Sequence, residues 1–364
     1  MPDSKAPGVC FENIDPLPHS ITGVPTTVTA FVGFTASGPT TPTLLSSFTV
    51  YSSAFGGPAT MGGYMTQAVQ AFFDNGGTQL YVSRVYCDSV SPESVLEPLE
   101  ALDDISLVCC PDEHGIAGMA AALVAHCEKM RYRIAVLAAP QGSDLENLPP
   151  EDVRSAFAAY YAPWVVVPDP NGGANLTVHP GGHIAGAIVR NDLERGVYKA
   201  PANLAISGVV ALERQFTDRE QAALGPRGVN LLRQFPGQGN LIWGARTTST
   251  DPEWKYINIR RYLSYLEKSI DDGLQWVVFE NNGPALWSSV QQTVSNFLYN
   301  EWASGGLQGG SPDEAYFVRC DRTTMTQDDI DNGQLICLIG VAVLKPAEFV
   351  IFRIGQCTAD APGA

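Results

Sequence analysis

The residues of this sequence that could do chemistry are five histidines, eight cysteines and one acidic run. The histidines stand at His19, His114, His126, His179 and His183. His179 and His183 are four apart, a spacing that on one helix face would offer two imidazoles to a metal, but Pro180-Gly181-Gly182 between them is expected to break such a helix. No metal site is expected. His126 reads as a half-buried helix residue beside Cys127. The cysteines, at 10, 87, 109, 110, 127, 320, 337 and 357, form no CxxC pair; Cys109, Cys110, Cys127 and Cys337 sit in apolar stretches, and the set reads as reduced core thiols. The run Asp328-Asp329-Ile330-Asp331-Asn332-Gly333 looks like a calcium loop but lacks the bidentate glutamate at the required offset, so a solvated turn is expected. Gly237-Gln238-Gly239 lacks the third glycine of a dinucleotide fingerprint and reads as a turn. No GxSxG, HExxH or GxxxxGK is present, and no cofactor is expected. A Ser-His-Asp triad has no fixed spacing, so the sequence leaves that one arrangement open.

The elements around these residues fall into three regions between two arms. Residues 1–25 are proline-rich with little periodicity and read as an arm in which Val9 to Glu12 could pair as a strand. Residues 26–100 form a mixed region: alternation at 27–34 and 81–85 flanks a helical stretch at 64–73. From 101 to 235 the pattern becomes buried strands at 105–110, 134–137 and 164–167, with helices at 118–130, 152–160 and 183–191 between and after them. That alternation predicts a doubly wound α/β domain with a largely parallel sheet. Residues 236–345 return to α+β: a strand at 256–259, then a helix with Tyr262, Leu263, Leu266 and Ile270 on one face and Gly273 as its cap. A strand at 274–279 comes next, and Pro284 opens a helix whose stripe is Leu286, Val290, Val294 and Phe297. Strands follow at 317–320, 335–343 and 349–354. Residues 346–364 form a second arm.

With 364 residues, 45% of them hydrophobic, the chain can bury a large core in two or more domains. Charged residues are only 16% while glycines number 35 and prolines 26, so much of the surface is uncharged and suited to being covered by partners. A net charge of -16 argues against nucleic acid or an anionic membrane as partner. No apolar run reaches the roughly 18 residues of a spanning helix. The opening MPDSKAPGVCFE lacks a secretion-signal pattern, so synthesis in a cytoplasm is expected.

Several blocks in one order resemble the tail sheath family of contractile phages, R-type bacteriocins and extracellular contractile injection systems. They are PGVCFENI, ITGVPTTVTAFVGFTASGP and FFDNGGTQLYVSRV near the start, then YYAPWVVVPDP and PGGHIAGAIVRNDLERGVYKAPAN. GVNLLRQFPGQGNLIWGARTTSTDPEWKYINIRR, QWVVFENN, ALWSSVQQTVSNFL, VRCDRTTMTQDDIDNG and KPAEFVIFRI follow. The resemblance implies a subtilisin-like α/β middle domain without catalytic role and an α+β sheath C-terminal domain, with extended N- and C-terminal arms. His183 could be mistaken for a triad histidine; Asp192 and Arg195 are expected to hold local turns.

The resemblance further implies a structural subunit that polymerises as stacked six-fold rings around an inner tube and contracts to drive that tube through an envelope. The expected partners are other copies of the chain, the tube protein, and baseplate and terminal cap proteins, with no nucleic acid and no membrane insertion. The expected setting is a phage tail or an extracellular tail-like particle. Arm strands can join a neighbour's open sheet edge through backbone hydrogen bonds. Gly8, Val9, Cys10, Phe11 and Glu12, with Phe349, Val350, Ile351, Phe352, Arg353 and Ile354, are assigned to that exchange. Glu301, expected to be exposed, is the candidate tube-facing residue. The competing classes are a subtilisin-like hydrolase, which needs a Ser, His and Asp within bonding reach, and a lone soluble binding module, which needs neither arm.

Overall fold

The structure, a computed structural model, describes residues 20–57, 63–86, 90–143, 147–170 and 172–348. The two arm segments assigned to strand exchange, 8–12 and 349–354, lie outside the described residues. The chain divides into two compact units, one of Val24–Tyr265 with 343–348, the other of 20–23 with Leu266–Ala342.

The larger unit holds β1 (Val28–Phe34), β2 (Thr43–Leu45), β3 (Gln79–Val85), β4 (Leu107–Cys109), β5 (Ile134–Ala138), β6 (Ala158–Ala162), β7 (Val165–Val167), β8 (Leu176–Val178), β9 (Leu204–Ala205), β10 (Ala211–Leu212), β11 (Val229–Phe235) and β12 (Gly239–Trp243). Nine of these form one sheet in the order β2-β3-β1-β4-β5-β6-β11-β12-β9. The run from β3 to β11 is parallel, and β2, β12 and β9 are antiparallel at its margins. β10, β7 and β8 make a small antiparallel sheet.

β1 reads VTAFVGF and is buried at all seven positions, as a central parallel strand covered on both faces requires. Val28, Ala30, Val32 and Phe34 face a core shared with α3 (Pro92–Leu96) and α4 (Met119–Met130). Phe31 faces the opposite core, shared with α1 (Phe48–Phe55), α2 (Met65–Asp74) and α5 (Gly181–Arg195). α6 (Asp218–Leu224) starts from a capping box made by Thr217 and Glu220.

α5 opens with the two glycines that the sequence reading took as breakers. They are helical because the packing leaves no room for side chains: a Cβ on Gly182 would lie 2.2 Å from the Ala68 carbonyl oxygen, and one on Gly186 2.4 Å from that of Phe72. α5 thus lies directly on the backbone of α2. His179 precedes the helix and His183 lies within it, so the two do not share a helix face.

Three expectations fail here. The helix expected at 152–160 is a 3-10 turn at Glu151–Val153 followed by β6, whose AAYYA is buried throughout between β5 and β11; a short apolar run fits either period, and sheet burial decides it. The strand expected at 256–259 is a lone bridge from Arg246 to Tyr256 and then the first turn of α7 (Ile257–Gly273). The region expected at 26–100 is not separate from the next one, because β1 lies between β3 and β4 in a single sheet.

In the smaller unit are α8 (Pro284–Ala303), α9 (Pro312–Ala315), α10 (Gln327–Asp331), β13 (Tyr316–Arg319) and β14 (Leu338–Val341). Pro284 is at the start of α8 as expected, and Val290, Val294 and Phe297 are buried, joined by Trp287 and Leu298. The strand expected at 274–279 is instead a 3-10 turn at Gln275–Val277; Val278 and Phe279 after it are exposed, Phe279 with a left-handed φ of 71°. Nothing among the described residues pairs with that stretch as a strand would require. The acidic run is the helix α10, capped by Thr326 and Asp329, rather than a loop.

Candidate functional site

In doubly wound sheets ligands bind outside the carboxyl ends of the strands, where the strand order reverses. Here β1 is followed by β3 on one side and β4 on the other, so the reversal lies between β1 and β4. That crevice is filled from within. Asp112, just past β4, accepts the Phe34 amide at 2.7 Å through Oδ2 and the Tyr64 amide at 2.7 Å through Oδ1. A Cβ on Gly33 would sit 2.4 Å from Asp112 Oδ2, so the glycine makes room for the carboxylate. Burial raises the Asp112 pKa against the pull of those two amides.

Beside it, Glu113 and His179 are buried, and with His114 they bring three potential metal-ligand atoms within 4.8 Å of one another. Hydrogen bonds occupy Glu113 Oε1, both His179 nitrogens and His114 Nε2, whereas buried Glu113 Oε2 has no partner. His179 Nδ1 accepts the Gly181 amide at 3.1 Å, so its hydrogen sits on Nε2 and is donated to Glu113 Oε1 at 3.2 Å. His114 Nε2 lies 3.1 Å from the Ala138 carbonyl oxygen, which can only accept. Glu113 Oε1 also accepts the Ala138 amide at 2.8 Å. These bonds tie the turn after β4 to the end of β5 and the start of α5.

The triad left open by the sequence does not form among the described residues, where no histidine is hydrogen-bonded to a serine, threonine or cysteine. His126 Nε2 accepts from Arg133 at 2.7 Å, and burial drives its pKa to about 4. Buried His183 is likewise lowered to about 4, first by burial and then by His179, and its Nδ1 has no partner. Asp192 does not hold a local turn: both its oxygens pair with Arg261 at 2.9 and 2.6 Å, a buried two-point ion pair joining the end of α5 to α7. Breaking such a pair costs about 3–5 kcal/mol, since it strands a buried charge. Arg260 lies over the rings of Trp254 and Phe157. Gly237-Gln238-Gly239 does follow a strand, β11, but leads into the antiparallel β12 rather than a helix. Cys109, Cys110 and Cys127 are buried as expected, whereas Cys337 is only half-buried.

Two features have the form of assembly surfaces. In the larger unit, Glu348 is the last described residue, near the start of the C-terminal arm, and its carboxylate accepts from Arg246 Nε at 2.7 Å, Arg246 Nη2 at 2.6 Å, Lys255 Nζ at 3.0 Å and Tyr256 Oη at 2.9 Å. Burial opposes its ionisation, but these bonds outweigh burial and hold its pKa at about 2. Pro346 and Glu348 also line a groove of about 710 Å³ with Arg233, Trp243 and Tyr256. In the smaller unit, β13 and β14 form a two-stranded ribbon on their own, with Tyr316 opposite Val341 and Arg319 opposite Leu338. Among the described residues neither outer edge is paired. Phe317 and Leu338 are about half exposed on one face, and the Phe317 ring lies across Gly340, where a Cβ would be 2.2 Å from it. Glu301, in the last turn of α8, is half-buried rather than exposed. No helix among the described residues is long and apolar enough to cross a membrane.

The larger unit is thus an α/β body with hydrogen-bonded carboxylates past its β1–β4 strand ends, and the smaller one carries a two-stranded ribbon. The model of the phage tail sheath protein central domain matches residues 88–248, and that of the phage tail sheath C-terminal domain matches 249–356. The chain belongs to the contractile tail sheath family, whose members are structural proteins. It is 33% identical to the sheath of the anti-feeding prophage in its contracted helical state, with 97% of this chain and 99% of that one covered and a TM-score of 0.85. It is 30% identical to the contracted sheath of the extracellular contractile injection system PVC, with 97% and 98% covered and a TM-score of 0.83. A tail sheath protein of Vibrio phage KVP40 is 27% identical over 191 residues, 51% of this chain and 28% of that protein. The chain spans less than two thirds of the curated relatives it matches, 28% of that one and 64% of a prophage sheath protein of Pseudomonas aeruginosa.

Proposed function

We propose that this chain is the structural subunit of a contractile tail sheath, which polymerises as stacked six-fold rings around an inner tube and shortens to drive that tube through a target envelope. The observation that carries this reading is the β13–β14 ribbon. An isolated two-stranded sheet is marginal in water, and this one keeps both edges unpaired among the described residues, with Phe317 and Leu338 half exposed beside Arg319 in a chain with few charges. Strands supplied by neighbouring copies complete it: residues 8–12 and 349–354, the latter leaving the body just past the Glu348 anchor. Such head-to-tail donation need not close on itself and so builds helical arrays. The further partners are the tube protein, the baseplate and a terminal cap. The subunit is made in the bacterial cytoplasm and works in a phage tail or an extracellular tail-like particle.

Negative-stain microscopy of the full chain, alone and with its tube protein, tests the reading. Hollow striated cylinders are expected, and removal of 1–12 or of 349–364 should leave only dispersed subunits. Cylinders that form equally well without either arm would sink the strand-exchange reading. Glu301 is kept as the tube-facing candidate; Glu301→Lys should weaken co-purification with the tube, and undiminished recovery would remove it.

A further inference from the structure

Two thiols face each other at the neck of the ribbon. The ladder ends with Arg319 opposite Leu338, so the next residues of the two strands are Cys320 and Cys337, whose thiols interact and shift each other's ionisation. Their backbone setting follows from the ladder. The Ala342 amide donates to the Ala315 carbonyl at 2.8 Å, so that opposed pair is hydrogen-bonded. Alternation along an antiparallel ladder makes 317/340 and 319/338 hydrogen-bonded pairs, and 316/341, 318/339 and 320/337 non-hydrogen-bonded ones. At a non-hydrogen-bonded pair the Cα atoms are about 4.5 Å apart and the side chains closest, inside the roughly 4.4–6.8 Å span that a disulfide bridges. The neck is held on its loop side as well, where Thr324 Oγ1 lies 2.8 Å from the Ile336 carbonyl oxygen and 2.9 Å from that of Asp321, its single hydrogen going to one or the other.

We infer that Cys320 and Cys337 form a redox-active pair that small-molecule disulfides convert to a cross-strand disulfide, stapling the loop 321–336 to the ribbon. Cys337 is half-buried and Cys320 only 2% exposed, so Cys337 is the sulfur an oxidant reaches. With oxidised glutathione, the Cys337 thiolate attacks one sulfur, forming a mixed disulfide and expelling one glutathione thiolate. Cys320 then attacks the Cys337 sulfur, closing the bridge and expelling the second glutathione. The two cysteine protons end on the two reduced glutathiones. The reaction is slow at neutral pH. Burial, followed by the neighbouring thiol, lifts Cys337 to about 12, and burial raises Cys320, so little of either is thiolate. The inference concerns the covalent state of the ribbon and does not depend on what the ribbon binds.

The test is to incubate the full chain with oxidised glutathione at several pH values, alkylate it in denaturant, and map the peptides by mass spectrometry. A Cys320–Cys337 linkage is expected, its rate rising about tenfold per pH unit between about 7 and 9. Cys320→Ala should instead accumulate glutathione on Cys337. The inference is overturned if native chain ends with glutathione on Cys337 and Cys320 free. It is equally overturned if both thiols stay fully alkylatable at the highest pH, or if Cys337 links to Cys10, Cys87 or Cys357.

Discussion

Replacing Asp112 by alanine would leave the amides of Phe34 and Tyr64 without their acceptor in the crevice between β1 and β4. At about 1–3 kcal/mol for each stranded buried donor, a loss of about 3 kcal/mol is expected from chemical denaturation, with Asp112→Asn recovering part of it. A change within a few tenths of a kcal/mol would mean that water satisfies both amides. None of this could be read from the sequence, because Asp112 is 78 residues from Phe34 and 48 from Tyr64. Among the described histidines, His114 and His179 join the turn after β4 to the end of β5 and the start of α5, and His126 accepts from Arg133. Asp192 misled for the same reason as Asp112, since its partner Arg261 is 69 residues away and no local spacing announces it.

At the scale of elements, periodicity identified what the core makes obligatory. β1, β4, β5, α4 and the stripe of α8 are long or buried enough for one period to win. It failed where a run is short and apolar, as at β6, or where a β-like composition has no partner strand, as at Gln275–Val277 and the residues after it. The glycines of α5 show the opposite failure: local propensity argued against a helix, and contact with α2 overrides it. Gly182→Ala should raise helix propensity yet destabilise the fold by about 1–3 kcal/mol, because the added methyl meets the backbone of Ala68. A stabilised variant in a thermal melt would show that α2 and α5 can separate without penalty.

At the scale of the whole molecule, many weak blocks in one order disclosed the family, but not how Glu348 is held. Glu348 meets Arg246 across 102 residues, and nothing in KPAE marks it as an anchor. Its pKa is depressed to about 2, so its stabilisation is fully present above the ordinary glutamate value near 4.5 and is lost as pH falls from there through about 2. The root of the C-terminal arm should therefore loosen across that window. Protease cleavage near 343–348, followed against pH, should rise there in the native chain, and Glu348→Gln should already show the faster cleavage at neutral pH. Flat cleavage in both would detach the arm root from this carboxylate.

The ribbon's alternating faces carry a consequence for length. Successive residues of any strand laid along β13 or β14 point to opposite sides, so for residues 349–354 a slip of one exchanges Phe349, Ile351 and Arg353 for Val350, Phe352 and Ile354 on a given face, and a slip of two, about 7 Å, restores the first set. If residues 349–354 dock there, Glu348 holds the strand at its first residue, and any length inserted between them is a ruler graduated in pairs. One residue inserted after Glu348 should abolish cylinders under the microscope and a second should bring them back, whereas a tether that is merely slack would tolerate both. Spacing between neighbouring subunits would then be a matter of parity, set by a count of residues rather than by the strength of any single contact.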